Sequence, residues 1–125
     1  MRRFILTLGT VLLLATAFLQ AGFKSARQHN NTPLSYSGEI MDGTCAGQGS
    51  HGREMTKVGT KTAKDCARLC AKDGSKLVLY NQDANTSFNI GNQGKVREYS
   101  GEKVPVGAYN GPGRTVHVQS ITAAP

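Results

Sequence analysis

Five short stretches in which apolar and polar residues alternate restrict this chain to a mainly β fold. Tyr36 to Met41 places Tyr36 and Ile40 on one side with Gly38 between them, and Lys76 to Tyr80 is rich in strand-forming residues. Thr86, Phe88 and Ile90 alternate, as do Val104, Val106 and Ala108, and then Val116 and Val118. Turn residues separate them at Asn81 to Asn85 and at Asn110-Gly111-Pro112-Gly113. Pro105 has no amide hydrogen, so it belongs on an edge or with its nitrogen turned away from the ladder. Ile121 is out of phase with Val116 and Val118, which predicts a bulge or a strand end near Gln119 to Ser120. Val96 and Tyr99, within Gly94 to Gly101, are spaced for one helical turn. Five strands in about 85 residues, with no internal repeat, predict a small closed or nearly closed barrel.

Between the first two strands the pattern changes. From Asp42 to Lys61 the apolar alternation stops and glycine recurs at 43, 47, 49, 52 and 59, which predicts a long Gly-rich loop. A short helix follows from Ala63 to about Lys72, begun by Thr62 with Asp65 three residues later and ended near Gly74. On a helical wheel Lys64, Arg68 and Lys72 form a basic stripe, and Cys66, Cys70, Leu69, Ala63 and Ala67 take the other side.

The first 26 residues read as an export signal. Arg2 and Arg3 precede an uncharged apolar run, Phe4 to Leu19, with small residues at Ala21, Gly22, Ser25 and Ala26. A spanning helix needs about 20 apolar residues, so extension through Phe23 gives the alternative of a membrane anchor over residues 4–23. Residues 27–34 form a polar linker, and residues 35–122 the domain. Without the first 27 residues the chain has 11 bases against 8 acids, so the high overall charge belongs partly to the signal. Seven of those bases lie between Arg53 and Lys76, and a solvated helix face accounts for them.

The order of pieces then brings a resemblance into view. Gly38-Glu39-Ile40-Met41-Asp42 before Cys45, His51 and Met55, the Cys66-x-x-x-Cys70 pair, Lys76 to Tyr80, Gly101-Glu102-Lys103-Val104-Pro105-Val106 and Thr115-Val116-His117-Val118 follow one another. Together they resemble a group of small exported bacterial proteins of uncharacterised function with an OB-fold-like barrel. The resemblance covers roughly Ser37 to Ile121 and implies fold and export, with no activity to carry over.

Any chemistry lies in the loop and helix between strands one and two. In an oxidising compartment three thiols imply one disulfide and one remainder. Cysteines four apart on a helix have Cβ atoms about 5 to 6 Å apart, against about 3.8 Å in a disulfide, so Cys66 and Cys70 do not pair with each other. Cys45 is then the partner of one of them, and closing that loop contributes about 3 kcal/mol. The rival is a metal site on Cys45, His51, Cys66 and Cys70, with Met55 as a further ligand. A Cys3His set suits zinc, and a thiolate, imidazole and thioether set suits copper. A disulfide would consume two of those ligands.

Two other signals are weaker. Gly47-x-Gly49-x-x-Gly52 matches a dinucleotide fingerprint in letters but opens no helix of a βαβ unit. Oligonucleotide binding on an OB barrel needs aromatic platforms, and Tyr80 is the one candidate on the expected strands. No serine or cysteine has an assignable histidine partner, and His117 alternates outward as a surface residue. The sequence thus predicts an exported, non-enzymatic binding or structural module of the cell envelope with a cysteine-stapled loop and an envelope or extracellular partner. Zinc or copper binding is the first alternative and oligonucleotide binding the second.

Overall fold

The computed structural model describes residues 32–122. The export signal, its cleavage site and the candidate anchor lie outside the described residues. No helix among the described residues is long and apolar enough to cross a membrane.

The protein is mainly β, with five strands and short helices: β1 (Leu34–Asp42), α1 (Gly43–Gln48), α2 (Gly52–Val58), α3 (Ala63–Lys72), β2 (Leu77–Asn81), β3 (Thr86–Ile90), β4 (Lys103–Asn110) and β5 (Thr115–Ile121). Each strand has two partners. The order β1-β2-β3-β5-β4 returns to β1, so the sheet closes on itself. All pairings are antiparallel except the short parallel one between β3 and β5. The closure is staggered: Leu34 to Gly38 of β1 pair with β4 alone, and β5 meets β3 only at Thr115 and Val116.

The strand alternation sorts side chains into two cores. Ile40, Leu77, Leu79, Ile90, Val96, Val104, Val106, Ala108, Val116 and Val118 fill the interior of the sheet. Each such aliphatic side chain contributes about 1.5 to 3 kcal/mol when fully buried. On the outer face of β1 and β2, Met41, Val78 and Tyr80 meet Cys45 and Ala46 of α1 and Cys66 of α3. This second core exists because two adjacent strands carry apolar residues on both faces, and the outer set is covered by helices rather than water.

The predicted loop from Asp42 to Lys61 is corrected: it holds α1 and α2. Gly-rich segments of six and seven residues have little intrinsic helicity, and these two are held by packing on β1 and β2 and by their caps. Two 3-10 turns, Gln93–Lys95 and Arg97–Tyr99, stand where one helical turn was expected. The bulge falls as anticipated: Gly107 pairs with Ser120 and Ala108 with Val118, leaving Gln119 unopposed. Pro105 lies in a strand with neighbours on both sides. Its carbonyl accepts from the Thr122 amide just beyond β5, so its nitrogen faces the side where that ladder has ended.

Candidate metal centre

The outer core carries the chemistry. Asp42 ends β1 in an extended conformation and caps α1, with Oδ1 accepting from the Thr44 and Cys45 amides at 3.0 Å each. That cap fixes the first turn of α1 and directs the Cys45 side chain under the helix. The helix ends at Gly49, whose φ of 71° lets the chain reverse into His51. The chain then enters α2 with the Met55 amide donating to the His51 carbonyl.

Cys66 arrives from α3. Thr62 accepts from the Asp65 amide at 3.0 Å and donates to Asp65 Oδ2 at 2.7 Å, the acidic capping box expected from sequence. The start of α3 is seated against Gly101, where φ is +76° and a Cβ would lie 2.5 Å from the Lys64 nitrogen. Glycine is the residue that satisfies both conditions. Lys64 and Glu102 form an ion pair across the same junction.

These local constraints bring Cys45, His51 and Cys66 together, with one ligand atom from each within 4.8 Å of the others and all three residues buried. Glu39, on the outer face of β1, lies 2.6 Å from His51 Nε2. A carboxylate accepts, so Nε2 donates to it, and in the neutral ring Nδ1 carries the lone pair. Nδ1 is buried and has no hydrogen-bond partner. The other ring nitrogen being held by Glu39, Nδ1 is the atom left for the sulfurs. A carboxylate fixing the far nitrogen of a ligating histidine is the recurrent outer arrangement of metal sites.

Burial pushes the Cys45 thiol far above its usual range, and the carboxylate of Asp42 and the thiol of Cys66 push in the same direction. Cys70 is pushed up to about 11 by burial, with Asp42 and Cys66 adding to it. Thiols held protonated in this way are poor nucleophiles. A cation reverses that balance, because it replaces the thiol protons and is attracted by the same carboxylates that disfavour bare thiolates.

The remaining sequence candidates divide. Cys45, Cys66 and Cys70 are free thiols, so the expected cross-link from Cys45 is not formed in this structure. Cys70 sits one turn beyond Cys66, half-buried and outside the convergent trio. Met55 packs half-buried against the same cluster. Tyr80 is corrected as a stacking platform: it is 6% exposed, covered by the helices, and its hydroxyl donates to Asn85. A base cannot lie on a covered ring. His117 is exposed, its ring lying over Gly91 and Gly111. The Gly47 to Gly52 stretch spans the turn between α1 and α2 and opens no crossover helix.

Sequence reasoning assigned no role to Glu39 or Asp42. Asp42 carried one readable signal, an acid directly before the segment that forms α1, whereas the Glu39–His51 contact joins residues twelve apart through a chain reversal. Comparison with protein-family models, curated proteins and solved structures finds no match.

Proposed function

We propose that this chain is an exported, non-enzymatic binding module in which an OB-fold-like barrel carries a buried site for a thiophilic metal ion. Cys45, Cys66 and His51 are the ligands. The reading rests on one observation: two thiols and a histidine ring nitrogen converge within 4.8 Å among buried residues, and that ring has Glu39 on Nε2 and no hydrogen-bond partner on Nδ1. Leaving Nδ1 unpartnered away from water costs about 1 to 3 kcal/mol, and a metal ion offsets that cost. The strand order supports the OB-fold-like reading, and the helices between β1 and β2 make the barrel's outer face the site. Export follows from the apolar N-terminal run and its small-residue flank.

The cysteine staple is the second reading, favoured by the nearness of Cys45 to Cys66. Oxidation would draw their sulfurs to about 2.05 Å and remove two ligands. The two readings separate in the mass of the purified chain. Metal binding predicts one zinc or copper ion per chain by native mass spectrometry and elemental analysis, with three alkylatable thiols once the chain is unfolded in chelator without reductant. A metal-free chain lighter by two hydrogens, restored by reduction, would establish the staple instead.

A further inference from the structure

Two of the buried side-chain atoms without a hydrogen-bond partner among the described residues are His51 Nδ1, on a residue of the convergent trio, and Asp42 Oδ2, on the residue that caps the helix carrying Cys45. Asp42 is fully buried, and its carboxylate lies against the first turn of α1, 3.0 Å from the amide of Cys45 itself. Its Oδ1 is committed to capping α1, and its Oδ2 is not committed at all. A buried carboxylate oxygen with no donor is costly to maintain unless a cation or proton meets it.

We infer that Asp42 Oδ2 is the fourth ligand of the site, giving a Cys2HisAsp shell from Cys45, Cys66, His51 and Asp42. This rests on the metal reading above and specifies the ion. Three anionic ligands in a dry pocket call for a divalent cation, and four mixed sulfur, nitrogen and oxygen donors suit tetrahedral zinc. Copper(I), with a single charge and a preference for sulfur, leaves more uncompensated negative charge among the same groups. Cys70 is the competing fourth donor. Both lie outside the trio, but Cys70 is half-buried, whereas Asp42 is fully enclosed and its Oδ2 has no hydrogen-bond partner. For Asp42 to bind, its carboxylate closes toward the trio by a side-chain adjustment, since its oxygen is not among the atoms that converge within 4.8 Å.

The test uses the reduced full chain under anaerobic conditions, with cobalt(II) as spectroscopic probe and zinc as competitor. Asp42→Asn keeps a residue that caps helices well and removes the anionic oxygen. Cys70→Ser removes the competing thiol. The inference expects Asp42→Asn to weaken zinc binding by at least 100-fold and Cys70→Ser by less than tenfold. X-ray absorption of the zinc-loaded wild type should give two sulfur and two nitrogen or oxygen scatterers. The thiolate-to-cobalt charge-transfer band should keep its intensity in Cys70→Ser. Circular dichroism of each metal-free variant checks that α1 is retained. Three sulfur scatterers, with Cys70→Ser losing affinity and Asp42→Asn keeping it, would overturn the Asp42 assignment and leave the metal reading intact. Failure of the wild type to bind either ion would remove the metal reading itself.

Discussion

Replacing Glu39 with glutamine tests how the site is oriented rather than whether its ligands exist. In the native protein the carboxylate 2.6 Å from His51 Nε2 accepts from it, so in the neutral ring the proton is held there and Nδ1 is free to bind. A neutral glutamine can donate as well as accept, so it no longer holds the proton at Nε2, and a ring whose proton moves to Nδ1 presents N–H toward the sulfurs. Losing such an outer partner costs about 10- to 100-fold in metal affinity. The Glu39 side chain is only 15% exposed, so water does not readily substitute for it, and the upper end applies. The expected loss is therefore about 100-fold, or about 2.7 kcal/mol. Competition against a chromophoric chelator, under reducing and anaerobic conditions at neutral pH, measures it directly. The metal-free stability should move less, because the glutamine still fills the space and still bonds the ring. Zinc affinity in Glu39→Gln within twofold of wild type would refute the claim that Glu39 sets the ring for binding.

Other outcomes follow from the same geometry. In the metal-free protein the folded-state pKa of Cys45 is raised above its ordinary 9.0, and that of Cys70 rises from 9.0 to about 11. Both thiols therefore support stability below pH 9 and cease to do so above it, as the unfolded chain ionises first. The decline should approach about 1.4 kcal/mol per pH unit per thiol, with the Cys70 part levelling off near pH 11. Urea midpoints on either side of pH 9 check the sign, and zinc should abolish the decline. Gly101→Ala forces a Cβ to 2.5 Å from the Lys64 nitrogen at a φ of +76°. It should destabilise the fold by about 1 to 3 kcal/mol and weaken zinc binding, because α3 carries Cys66; denaturation and metal titration of the same sample measure both. Leu79→Ala empties part of the barrel interior and should cost about 2 to 5 kcal/mol in denaturant, while zinc affinity under native conditions stays near wild type.

The sheet was legible because each strand's alternation is local. Val104, Val106 and Ala108 point inward together, as do Val116 and Val118, and the phase slip before Ile121 marks the unopposed Gln119. Thr62 with Asp65 announced α3 for the same reason, since a cap involves neighbours in sequence. The helices α1 and α2 were not legible. Glycine at 43, 47, 49, 52 and 59 argues for loop, and what makes those residues helical is the apolar outer face of β1 and β2 beneath them. Met41, Val78 and Tyr80 gave the missing sign, an apolar outer face that water would not tolerate, but the sequence does not say what covers it. The same cover buries Tyr80 and ends its candidacy for stacking. Within the site, Cys45, His51 and Cys66 were readable as metal-binding residue types, whereas Glu39 and Asp42 acquire their roles from a strand pairing and a helix cap that only the fold supplies.

The most direct measurement is anomalous diffraction at the zinc edge from crystals of the reduced, zinc-loaded chain. The account predicts a single anomalous peak per molecule within bonding distance of the sulfurs of Cys45 and Cys66 and of His51 Nδ1. A structure with no ion there, or with Cys45 bonded covalently to either helical cysteine under those reducing conditions, contradicts it.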